Sequence, residues 1–101
     1  MEQKLGILVR SDQHISQLLA LCRAAKSRNI ETRIFFTHRG ARLIQAPQFQ
    51  ELKKLATMAV CKVSLQSHGV DTESSHPHGV DLATQAWHAE LIRECHRYVV
   101  F

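Results

Sequence analysis

Cys61 is the side chain whose type and place offer the most chemistry in this sequence. It stands in AVCKVS, near the carboxyl end of an apolar run and just before Ser64, a residue suited to cap a helical turn. Backbone N–H groups at a helix start favour an anion, so a thiolate placed there is stabilised. A thiolate attacks sulfur and carbon electrophiles far better than a thiol does. The competing reading is a small buried hydrophobe, the commonest state of a free cysteine. Cys22 and Cys95 both fall on apolar helical stripes and read as packing residues. Three cysteines with no CxxC pair do not make a disulfide framework, so three reduced thiols are expected.

Seven histidines in 101 residues call for a reading of their own. His14 and His38 each follow an expected strand, where either can act as a general acid or base near Cys61. Arg39, beside His38, brings a positive charge that favours a thiolate. With Thr37 and Ser64 these make a candidate binding set of His14, Thr37, His38, Arg39 and Ser64 around a catalytic Cys61. His68, His76 and His78 bracket the stretch GVDTESSHPHG, and two of them are close enough to share a metal. No third ligand stands at a strong spacing, and HPHG reads as a surface turn, so no metal is expected. His88 and His96 read as solvated or partly packed. The turn after the first strand has no glycine, and no GxSxG or HExxH occurs. Nucleotide cofactors and serine or zinc hydrolysis therefore have no support, and no cofactor is expected.

The elements that must position these residues follow from the hydrophobic pattern. LGILV at 5–9 is a short continuous apolar run, suited to a strand covered on both faces. Ser11 and Asp12 then offer N-caps for a helix whose stripe is Ile15, Leu18, Leu19, Cys22 and Ala25. Asn29 can take a left-handed conformation at its end. TRIFF at 32–36 reads as a second strand, followed by a short Gly40-containing helix or turn at 38–44. Pro47 fits the start of a helix with Phe49, Leu52, Leu55 and Ala56 on its apolar side. A third strand is expected at 58–63 and one capped turn from Ser64 to Gly69. After the 69–79 loop, 79–83 is open to a short strand, 83–95 reads as a helix and 97–101 as a final strand. Glu90–Arg93 and Glu94–Arg97 are spaced to pair at i,i+3. This alternation predicts a three-layer α/β fold, a mostly parallel sheet of about four to five strands with helices on both faces. In such sheets ligands bind beyond the carboxyl ends of the strands, where the three polar loops should gather.

The remaining composition narrows the class. A length of 101 residues suits one domain over 1–101. Apolar residues at 45% and charged residues at 22% exclude a disordered tail, a collagen-like chain and a coiled coil. The net charge of +4 is spread along the chain and carries no nucleic-acid signal. No run of about 20 apolar residues is present, so no membrane helix is expected. MEQKLGILVR lacks the long apolar stretch of a signal peptide, so a cytoplasmic location is expected.

Four segments together resemble the DsrE/DsrF-like sulfur-relay family, including its TusD-type members. They are KLGILVRSDQH at 4–14, ETRIFFTHRGARLI at 31–44, AVCKVSLQSHGV at 59–70 and HAELIRECHRYVVF at 88–101, about two thirds of the chain. The cysteine after the third strand, in VCxxS, is the most telling element. The resemblance implies a parallel α/β fold and assembly into dimers, trimers or hexamers. It also implies that Cys61 takes a sulfane sulfur as a persulfide from a donor protein and hands it to an acceptor protein. Some members lack the cysteine and serve as structural subunits, so a non-catalytic subunit is the alternative. The chain is short for the family, and SSHPHG has no counterpart in it.

Overall fold

The computed structural model describes residues 3–69 and 80–101. Five strands alternate with helices: β1 Lys4–Val9, β2 Glu31–Phe36, β3 Thr57–Cys61, β4 Asp81–Ala83 and β5 Arg97–Val100. They form one sheet in the order β4-β3-β2-β1-β5, every pairing parallel. The helices are α1 Ile15–Ser27, α2 Phe49–Leu55, α3 Lys62–Ser67 and α4 Gln85–Glu94, with a 3₁₀ helix over His38–Gln45. The expected three-layer α/β architecture is what the chain adopts.

Alternation along each strand sorts the two faces. Leu5, Ile7 and Val9 of β1, Ile34 and Phe36 of β2, and Met58 and Val60 of β3 share one core with Leu18 and Cys22 of α1, Phe49 and Leu52 of α2 and Ile44 of the 3₁₀ helix. The opposite face carries a smaller cluster of Phe35, Ala59, Cys61 and Leu91, with Trp87 and Cys95 packed beside it. That face is covered by α4. Gly6 permits the approach, because a Cβ there would lie 2.6 Å from Leu91 Cδ2. Arg33 of β2 binds Glu94 at the end of α4, fastening the helix across the sheet.

Several local expectations hold, and others shift for identifiable reasons. Asn29 does take the left-handed conformation, with φ 59°, and ends α1. The helix starts at Ile15 rather than after Ser11, because the Ser11 hydroxyl closes a turn by accepting from the Gln13 N–H at 3.2 Å. β3 stops at Cys61 and α3 begins at Lys62, so Ser64 lies inside the first helical turn and is not its cap. Glu90 pairs with Arg93 at 3.0 Å as its spacing suggests. Glu94 pairs with Arg33 instead of Arg97, because the helix ends at Glu94 and Arg97 already belongs to β5.

Candidate functional site

The register of the sheet brings two loops together at its carboxyl rim. Phe36 is level with Val60, so Thr37, one residue further along, is level with Cys61. Both point to the face that α4 covers, as Phe35 and Ala59 do two residues earlier. Thr37 is buried, and its Oγ1 lies 3.2 Å from the Ser64 Oγ. Ser64 Oγ in turn accepts the backbone N–H of His38 at 2.9 Å. The His38 Nδ1 lies 3.2 Å from Thr37 Oγ1, and His38 holds its own backbone at φ 53°. A positive φ in a residue that is not glycine or asparagine costs energy that the surrounding bonds must offset.

Gly40 makes this arrangement possible. A Cβ at position 40 would stand 2.2 Å from the Val9 carbonyl oxygen. With hydrogen alone there, the Gly40 N–H reaches the Arg10 carbonyl at 3.1 Å, and the Thr37 N–H reaches the Val9 carbonyl at 2.9 Å. The loop after β2 is thus pinned against the end of β1, which fixes Thr37 and His38 over β3.

The Cys61 thiol sits within these groups and is 7% exposed. Burial alone pushes its pKa up. The Ser64 hydroxyl, the backbone N–H groups of Ser64 and Val63 and the Thr37 hydroxyl all donate to the sulfur and outweigh burial, so its pKa lies below the ordinary value. Gln85, at the start of α4, adds an amide donor with Nε2 4.0 Å from Sγ. The other thiols go the opposite way. Burial pushes Cys22 up to about 11. Burial also raises Cys95, and the nearby charges of Arg33 and Lys4 against Glu94 and Glu31 do not reverse it.

The other sequence-proposed residues scatter along the same rim. Arg39 and His38 border an open groove of about 530 Å³ with Arg10, His68 and Phe101. His14 lies on the far side, where its ring centroid is 6.5 Å from that of Phe101. No hydrogen bond among the described residues joins His14 to the Cys61 cluster, because His14 follows β1, and β2 lies between β1 and β3 in the sheet order. His76 and His78 lie outside the described residues. Among the described residues, no three His, Cys, Asp or Glu side chains are grouped as a metal would require. Gln85 and the Val63 N–H were not foreseen in the sequence. Gln85 follows the brief strand DLA, too short to announce that its carboxyl end joins the same rim.

A small parallel α/β sheet with a donor-surrounded thiol at its carboxyl rim is the class that fold and site define. The chain belongs to the DsrE/DsrF-like family, whose model matches residues 3–101. Two solved structures share its fold. A conserved protein of unknown function from Bacteroides thetaiotaomicron superposes with a TM-score of 0.77 at 16% identity, over 98% of this chain and 95% of that one. A protein of unknown function from Methanobacterium thermoautotrophicum gives 0.69 at 15% identity, over 99% of this chain and 100% of that one. No curated protein matches the chain. No helix among the described residues is long and apolar enough to cross a membrane.

Proposed function

We propose that this protein is a cytoplasmic sulfur carrier that accepts a sulfane sulfur on Cys61 and delivers it to a partner protein. One observation carries the reading: four donors converge on the Cys61 sulfur and lower its pKa, whereas burial raises the pKa of Cys22 and Cys95. Membership of a family generally associated with sulfur relay supports it. The Cys61 thiolate attacks the terminal sulfur of a donor persulfide. The new bond forms between Cys61 Sγ and that sulfur, the donor's own S–S bond breaks, and the donor thiolate leaves with the electron pair. The proton on the terminal sulfur travels with it, and no external oxidant or reductant is consumed. The donors around Sγ then hold the persulfide until an acceptor thiolate repeats the attack. Thr37 and Ser64 bind the sulfur in this scheme, while His38 and Arg39 supply polar and positive groups in the groove along the same rim and His14 belongs to the outer rim.

Donor and acceptor are proteins in this reading, and the carrier assembles with copies of itself. The edge strand β5 exposes Tyr98, Val99 and Val100 together, the kind of apolar edge that a protein neighbour covers. A second reading, a non-catalytic subunit of the same fold, draws on how little of Cys61 reaches solvent. Intact mass spectrometry after incubation with a persulfide donor separates the two. A gain of one sulfur atom that survives Cys95→Ser and vanishes in Cys61→Ser supports the carrier. No gain, with Cys61 alkylating no faster than a free thiol, overturns it in favour of the subunit.

A further inference from the structure

A second cavity lies at the opposite rim, among the amino ends of β2 and β3, and has a volume of about 530 Å³. We propose that it binds a phosphate-type dianion, carried by a small phosphomonoester. Its wall includes Lys26 and Asn29 from the end of α1, Thr32 from β2, and Lys53 and Lys54 from the end of α2. Thr32 is 2% exposed, and its Oγ1 has no hydrogen-bond partner among the described residues. A buried hydroxyl left without a partner is unfavourable, and a ligand oxygen entering the cavity would satisfy it.

The charges point the same way. Lys26, Lys53 and Lys54 make no ion pair among the described residues. Glu31 also stands in the wall, but its carboxylate is engaged by Lys4 at 3.9 Å and Arg33 at 3.6 Å. Three cations stand against one paired carboxylate and the partial negative charges at the carboxyl ends of α1 and α2, and leave the cavity net positive. Lysines in the last turn of a helix also complement its dipole, which accounts for their places on α1 and α2. It does not account for the orphan hydroxyl between them. Cations from two helices, an amide from Asn29 and a hydroxyl from the sheet line the same cavity, a donor set that suits a multi-oxygen anion. The cavity is also roomier than phosphate alone needs, so an esterified group has space. This site is separate from the Cys61 rim and stands or falls independently of sulfur transfer.

The test is an amide-resolved NMR titration of the full chain at constant ionic strength, first with inorganic phosphate and then with ribose 5-phosphate. Saturable shifts on amides of residues 29–32 and 53–57, with ribose 5-phosphate binding the tighter, are expected. Tighter binding of free phosphate assigns the site to the inorganic ion and overturns the phosphomonoester. Thr32→Val keeps the β-branched shape and should weaken binding about tenfold, the loss expected for one hydrogen bond to a charged group. Lys53→Ala with Lys54→Ala, both exposed, should also weaken it without affecting folding. Shifts that sodium chloride reproduces, or affinity unchanged in both variants, overturn the proposal.

Discussion

Replacing Ser64 by alanine removes the strongest of the hydrogen-bonding influences that lower the Cys61 pKa. The backbone donors of Val63 and Ser64 and the Thr37 hydroxyl remain. A hydrogen bond to a charged group is worth about 1.5–3 kcal/mol, and the low end suits a site where other donors can close in. That energy corresponds to roughly a tenfold drop in the thiolate-to-thiol ratio at a fixed pH below the pKa. Intrinsic nucleophilicity rises as a thiol becomes more basic, by roughly threefold for such a change, and partly offsets the loss. The net expectation near neutral pH is alkylation about threefold slower at Cys61. The sign follows from the direction of the shift: the native thiol has a lowered pKa, so its rate climbs with pH and levels off early. In Ser64→Ala the climb moves to higher pH and the plateau is higher. Iodoacetamide labelling across a pH series, resolved by peptide mass spectrometry, reads Cys61 separately from Cys22 and Cys95. Thr37→Val should move the profile the same way but less, since its hydroxyl contributes least among the donors. A Ser64→Ala profile that superposes on the native one, or one that Thr37→Val exceeds, would refute the assignment of Ser64 as the principal donor.

Three further outcomes follow from the geometry. Gly40→Ala drives a Cβ into the Val9 carbonyl and should cost about 2–4 kcal/mol in urea unfolding while slowing Cys61 labelling, because Thr37 and His38 must move with the loop. Leu91→Ala empties the centre of the smaller core under α4 and should cost about 2–4 kcal/mol, with α4 amides losing hydrogen-exchange protection first. Cys22, raised from 9.0 to about 11 by burial, is an acid whose unfolded form ionises first. Its contribution to stability is complete below about pH 9 and fades as pH climbs toward 11, by up to about 3 kcal/mol. Cys22→Ala should therefore flatten the alkaline fall in stability relative to the native chain; parallel curves would show that Cys22 does not titrate on unfolding.

Local pattern sufficed for the elements that one segment determines by itself. The run LGILV makes β1, the stripe from Ile15 to Ala25 makes α1, and Asn29 closes it in the left-handed conformation, because strand burial, helix amphipathicity and backbone sterics act over a few neighbouring residues. Alternation of strands and helices was enough to expect a parallel sheet, and the motif segments were enough to suggest the family. The boundary at Cys61 was not legible, because Val63 looks like a continuation of the strand and only the helical bonds of Lys62–Ser67 show otherwise. Nor did the sequence distinguish among its three polar loops. The strand order did that: β2 and β3 are neighbours, so Thr37 and Ser64 meet at the sulfur with His38 bonded to both, while β1 carries His14 off toward Phe101. A residue's type is written in the chain, but which strand becomes its neighbour depends on packing between segments far apart in sequence, and that packing alone turned an ordinary buried cysteine into one surrounded by donors.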